Sequence, residues 1–394
     1  MKILHLATFL QGGAGRVIAD LVITQQEAGH DVSVVVSKTS VPAPGCANNE
    51  AYLEDLERAG IWVERVDSMF LRDYADNLAV VRALCDRYAR GREPEVVHTH
   101  AAIPSLVALL FAGARRLPLA VVQTMHGWSA TKTSSQVATD VSLMNAVDRV
   151  VVPSRHAAEV IASLGVARSR TTVVAHGVRD SSPDLDLRDR SMLRDMERAR
   201  AAGLLVVTCV GTIGTRKSQR LLVEAIARMK GPRSVYCVFI GDGDTAELGG
   251  AIDAAHLAGR VRVHGYSRAA RRLAAFADAL VLPSRSEGQP LAVLEAFRDG
   301  TVVVVSGIPE LTELVEDGAT GLQFRVDDAQ SLAATLDRLA SLPDPLRHAI
   351  ADRARLLQAS RFTTTMMTNH YIDLYREALA AHVPVAPTPA FTAA

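Results

Sequence analysis

Short, continuous apolar runs alternate with helical patterns along most of this chain, and that alternation restricts its fold more tightly than any other feature. In the first half the runs fall at 2–7, 31–37, 61–66, 95–99, 119–124, 149–152 and 171–175. Helical patterns fill the gaps. Arg16–Ala28 repeats apolar residues at Val17, Ile18, Leu21 and Val22, and 72–90 is the clearest helix. Strands that are apolar on both faces and separated by helices predict a parallel sheet covered on both sides.

The pattern then breaks and restarts. Residues 179–202 read RDSSPDLDLRDRSMLRDMERARAA, a linker at the start and a solvated helix at the end. Apolar runs resume at 204–210, 234–240, 260–264, 279–282 and 301–305. The expectation is an α/β chain of two Rossmann-like domains facing a central cleft. The first spans 1–178 and the second 204–362, with a linker and connecting helix at 179–203. The last helical stretch, 363–381, carries Tyr371 and Tyr375 and is expected to pack back on the first domain. The Pro- and Ala-rich tail 382–394 is expected to be disordered.

A length of 394 residues suits two domains, and 48% apolar residues can fill two cores. Lys plus Arg and Asp plus Glu number 43 each, so the basic excess of a nucleic-acid binder is missing. Cysteines stand at 46, 85, 209 and 237 without a CxxC pair; Cys209 and Cys237 lie in strand-like runs. That usage reads as reduced thiols in a cytoplasmic protein. The N-terminal MKILHLATFLQGG reads as a first strand rather than a signal peptide. The longest apolar candidate, 101–122, is broken by Pro104, Arg115, Arg116 and Pro118, so no run reaches the ~18 residues of a membrane span. FAGARRL, residues 111–117, reads either as a peripheral membrane contact or as a buried helix end.

Ligands of doubly wound sheets bind at the carboxyl ends of strands, so the loops there carry the chemistry. The most specific is SRSEGQPLAVLEAF, residues 284–297, after the strand 279–282. Pro290 suits a first helical turn, where its missing N–H costs nothing. The helix start at Gly288, Gln289, Pro290 and Leu291 offers backbone N–H groups and a positive dipole end to a phosphate or a sugar hydroxyl. Glu287 stands just before it. Glu295, inside the helix, can accept hydrogen bonds from a diol such as a ribose. The loop after 204–210 reads Gly211-Thr-Ile-Gly-Thr-Arg-Lys217-Ser. It nearly fits a P-loop, but Arg216 occupies the place of the second glycine. Gly12 and Gly13 permit close backbone approach, yet no GxGxxG and no ribose-binding acid after 31–37 support a dehydrogenase. His126 follows the strand 119–124, with Trp128 as an apolar wall beside it. His98 and His100 end another strand; without a carboxylate beside them they read as structural or acceptor contacts rather than a metal pair.

Residues 284–297 resemble the Glu-x7-Glu signature of the retaining glycosyltransferases of the GT-B fold, family 4. Further segments are similar in the same order: Gly12–Val17, Met125–Gly127, Val152–Ser154, Val174–Val178, Ile240–Gly243, Gly307–Glu310 and Glu316–Leu322. Asn is usual in that family where this chain has His176, and Arg where it has Thr212. The resemblance implies sugar transfer from a nucleoside diphosphate sugar, such as a UDP- or GDP-sugar, without an obligatory metal or other cofactor. It implies that Lys217 grips the donor diphosphate with backbone N–H groups near Gly13 and Gly288–Leu291. Whether Arg216 supplies the second cation in place of Thr212 stays open. Glu287 would hold sugar hydroxyls, Glu295 the ribose, and His126 the sugar or acceptor. Gly12, Arg16, His100 and Trp128 would lie toward the acceptor, a glycan, a lipid-linked sugar or a small molecule, with loops 39–49 and 129–136 reading it. A phosphorylase, a nucleotide-sugar epimerase and a non-catalytic sugar-nucleotide-binding subunit stand as alternatives. Nucleic acid is not an expected partner.

Overall fold

The computed structural model describes residues 1–38, 48–68, 70–88, 91–129, 131–180 and 183–382. Cys46, most of the loop 39–49, Ala130 and the tail from 383 lie outside the described residues. Contacts divide the chain into two units. Unit 1 comprises Met1–Pro153, Ala158–Val174 and Met367–Ala394; unit 2 comprises Ser154–Ala157 and Ala175–Met366. The division thus falls at Val174, and the stretch expected as a linker counts with unit 2.

Unit 1 is built on a parallel sheet of β1 (Lys2–Leu6), β2 (Asp31–Ser37), β3 (Trp62–Val66), β4 (Val96–Thr99), β5 (Ala120–Thr124), β6 (Arg149–Val152) and β7 (Thr171–Val173). Their spatial order is β3-β2-β1-β4-β5-β6-β7. Leu4 pairs with Ser33 on one side and Val97 on the other, and all of β4 and β5 is buried. Burial on both faces is why these strands read as unbroken apolar runs.

The first helix, Gly12–Glu27, starts four residues before the expected Arg16. The glycines read as a loop form its first turn. Gly15 is the one that close packing requires, since a Cβ there would lie 2.5 Å from the Leu10 carbonyl carbon. Tyr371 and Tyr375, from the helix Thr364–Ala380, are fully buried in unit 1. Thr368 of that helix meets Thr24 at 2.5 Å. FAGARRL ends the helix Ala102–Arg115: Phe111 is fully buried, and Arg115 pairs with Glu93 at 3.0 Å. Of that stretch Phe111 alone is buried, while Gly113, Ala114 and Arg116 are exposed. Among the described residues, no helix is long and apolar enough to cross a membrane.

Unit 2 repeats the architecture with β8 (Leu205–Val210), β9 (Val235–Ile240), β10 (Val261–Gly265), β11 (Ala279–Leu282), β12 (Val302–Ser306) and β13 (Leu322–Phe324). The order is β10-β9-β8-β11-β12-β13, again all parallel. The three-residue β13 carries too little pattern to be read from sequence; pairing with β12 defines it. The charged helix Leu187–Ala201 opens with a capping box between Asp186 and Asp189. It is not wet all round. Met196 and Ala199 form a narrow buried seam against Val206, Val238 and Leu273. At the carboxyl end of β9, Gly241 has φ +156°, and a Cβ would lie 2.1 Å from the Gly211 carbonyl oxygen. The two strand-end loops approach so closely that only glycine fits.

Candidate active site

Strand order reverses between β8 and β11 in unit 2, and doubly wound sheets take ligands at such a point. The loops after these two strands carry the residues singled out above. In the loop Gly211–Ser218, the buried Gln219 fixes the turn: its Oε1 accepts from the Gly214 N–H at 3.2 Å, and its Nε2 donates to the Thr212 carbonyl at 3.0 Å. Sequence reasoning missed Gln219, because an amide at a helix start has many other uses.

This turn brings Lys217 Nζ to 2.7 Å from Glu287 Oε1. Arg216 Nη1 lies 3.3 Å from Glu287 Oε2 and donates to the Ser286 carbonyl at 2.9 Å. The loops are also tied directly, the Arg285 N–H donating to the Arg216 carbonyl at 2.9 Å. Thr212 is exposed, and Arg216 is the second cation at this carboxylate. The Glu287 side chain is 5% exposed and Lys217 13%, so their pairing is largely shielded from water, while Arg216 at 56% reaches into solvent. A further carboxylate, Glu310, accepts from the Glu287 N–H at 3.4 Å. Cys209 lies beneath on β8. Burial foremost pushes its thiol up to about 12, so it is no nucleophile.

Pro290 is the N-cap of the helix Leu291–Asp299, one position before the expected first turn. No side chain caps this end. The Val293 N–H reaches back to the Pro290 carbonyl at 3.1 Å, and the N–H groups before it stand at the positive end of the helix dipole. Gln289 is buried and accepts from the His176 N–H at 2.5 Å, so its side chain braces the loop instead of facing a ligand. Glu295 lies half-buried within the helix.

Unit 1 has its own reversal, between β1 and β4. A cavity of about 300 Å³ opens there, lined by residues that include Ala14, His100, His126, Gly127, Arg72, Lys132 and Asp140. Gly12 and Gly13 are exposed, with open space where a side chain would stand. Behind the cavity runs a chain of imidazoles. His126 Nε2 meets His100 Nδ1 at 3.1 Å, His100 Nε2 meets His5 Nδ1 at 3.0 Å, and His5 Nε2 meets Gln25 Oε1 at 2.8 Å. A second branch leaves Gln25 through the Tyr375 hydroxyl at 3.1 Å to His98 Nδ1 at 2.6 Å, then from His98 Nε2 to Thr124 at 2.7 Å.

One proton assignment satisfies every link: with Gln25 Oε1 accepting, His5, His100 and His126 each carry hydrogen on Nε2. Burial lowers His5 and His126 to about 4, so both are neutral near pH 7. His98 is held well below its usual range, by burial first and then by His5 and His126. His5, His98 and His100 bring ring nitrogens within 4.8 Å of one another, the spacing of a metal site. Protein groups already engage the nitrogens of His5 and His98, which favours a hydrogen-bonded scaffold. His98 is thus structural, whereas His100 and His126 line the cavity. Sequence reasoning missed His5, Gln25 and the two tyrosines as a group. A polar residue inside the apolar run KILHLA was the one visible signal.

Two residues expected toward the acceptor contact other side chains. Arg16 pairs with Asp20 at 3.0 Å and Asp55 at 3.8 Å. Trp128 is half-buried, with Lys132 Nζ 4.1 Å from its ring centroid.

Two parallel doubly wound units of this kind define the GT-B class of fold. Solved structures share it. The chain matches Alr3699/HepE of Anabaena, solved in complex with UDP and glucose, at a TM-score of 0.78 and 20% identity, covering 96% of this chain and 100% of that one. The family description "Glycosyltransferase Family 4" matches residues 11–182, and "Glycosyl transferases group 1" matches 205–341. Among curated proteins, the lipopolysaccharide core biosynthesis glycosyltransferase LpsE of Rhizobium meliloti is 24% identical over 95% of this chain and 98% of its own length. The D-inositol 3-phosphate glycosyltransferase of Mycolicibacterium gilvum is 27% identical over 73% and 67%. The chain belongs to the group 1, family 4 glycosyltransferases.

Proposed function

We propose that this glycosyltransferase moves a sugar from a nucleoside diphosphate sugar to an acceptor hydroxyl, with retention at the anomeric carbon. The pairing of Lys217 and Arg216 with Glu287 at the ends of β8 and β11 carries the reading. Lys217 spends one of its three donors on Glu287 and keeps two for phosphate oxygens. Charge builds on the departing diphosphate in the transition state, and fixed cations and N–H dipoles stabilise it most. We assign that task to Lys217, Arg216 and the N–H groups at Gly288–Leu291. Glu287 holds sugar hydroxyls and Glu295 the ribose. His126, kept neutral by burial, orients the sugar or the acceptor. The acceptor is a glycan, a lipid-linked sugar or a small molecule, and the reaction requires no metal. The UDP and glucose of the Anabaena complex favour a uridine donor. The free buried thiols of Cys209 and Cys237 suit a reducing, cytoplasmic setting, and membrane contact would be peripheral.

Thermal-shift screening against UDP, GDP, ADP and dTDP tests the donor. A ligand at 100 times its dissociation constant adds about 2.7 kcal/mol. One nucleotide should raise the melting temperature clearly. No shift with any of the four, in folded protein, would count against the reading.

A further inference from the structure

The cavity of unit 1 contains a charge arrangement that donor binding does not use. Asp140, 3% exposed, accepts from Arg72 at 2.6 Å and from Lys132 at 2.5 Å. One cation would neutralise it. Among the described residues lining the cavity, Arg72, Lys132 and Asp140 are the charged ones, which leaves one positive charge in excess. His126 adds none near pH 7, since burial holds it neutral.

We infer that the cavity takes an acceptor bearing an oxyanion, a phosphate or a carboxylate, held by Arg72 and Lys132. Calling the ligand an acceptor rests on the glycosyl-transfer reading; the anion site itself does not. Asp140 is buried beside the two cations, whereas the Arg72 and Lys132 side chains line the cavity and keep 35% and 27% exposure. A guanidinium has five N–H donors and an ammonium three, and Asp140 engages one nitrogen of each. The shared carboxylate also fixes the two cations before a ligand arrives, so binding need not order them. The Trp128 ring under Lys132 restrains it further. The helix Ala102–Arg115 adds its positive end, because Ala101, Ala102 and Ile103 line the cavity and no side chain caps that terminus. A neutral sugar would leave the excess charge unanswered.

The test is calorimetric titration of the Lys217→Ala, Arg216→Gln protein, which lacks both cations of the unit 2 site, with inorganic phosphate and separately with acetate. At least one anion should bind saturably, and the tighter one identifies the group. Adding Arg72→Gln or Lys132→Gln should weaken binding about 10-fold or more, the loss expected for a hydrogen bond to a charged group. Arg72→Lys, which keeps the charge, should retain most of the affinity. Absence of binding by both anions, or equal affinity in the Gln variants, would overturn the inference. The nucleotide melting shift, measured with Lys217 and Arg216 intact, separates the two ideas. If it persists while the anion titrations fail, only the anion site is lost. If it is absent in the unsubstituted protein, the donor reading fails.

Discussion

Replacing Glu287 with Gln, or Lys217 with Ala, is expected to lower sugar-transfer turnover by ~10²-fold or more. The two side chains form the most shielded ion pair of the unit 2 site, at 2.7 Å. Glu287→Gln keeps the shape but replaces the carboxylate oxygen that Lys217 meets with a weaker, neutral partner. Lys217→Ala removes the cation assigned to the leaving diphosphate and leaves Arg216 as the remaining positive charge at Glu287. Arg216 is mostly in water, so its charge is better screened and should compensate only in part. Initial-rate measurements on variants with unchanged melting temperatures are the check. Near-normal rates in folded variants would sink both assignments.

The second large effect concerns acid. His5 is fully buried and its pKa falls from 6.5 to about 4, burial outweighing the Gln25 hydrogen bond. The unfolded chain therefore binds a proton that the folded one refuses. Stability from this group is complete above pH 6.5 and drains as pH falls toward 4. At pH 5 the loss is about 2 kcal/mol for His5 alone. His126 shifts in the same direction to about 4, and His98 is lowered as well, so the losses accumulate. Denaturant unfolding at pH 7.5, 6 and 5 should show a steep decline. In His5→Gln the decline should be shallower. Equal stability at pH 7.5 and 5 would contradict the neutral histidine network.

Much of the fold was legible because two-sided burial writes itself into sequence. Val96–Val97 and Val302–Val305 are apolar on both faces, and the strands stand within a residue or two of their expected places. The helix at Gly12 was harder, since glycines resemble a loop until Gly15 is seen packed on Leu10. The unit 2 site was legible as well. Its residues sit on two strand-end loops, and the spacing of Glu287 and Glu295 is local. Even so, the sequence left the role of Arg216 open, because side-chain direction decides it. The unit 1 site was largely hidden. His5, Gln25, His98 and Tyr375 come from four elements up to 370 positions apart, and none is unusual alone. Arg72 and Lys132 likewise gain meaning only through Asp140.

The most direct test of retaining transfer from a nucleotide sugar is proton NMR of the first product formed from an α-linked donor of the nucleotide that shifts the melting temperature. With water or an acceptor, an α-anomer is expected at early times, before mutarotation. A β-anomer as the first product would contradict it.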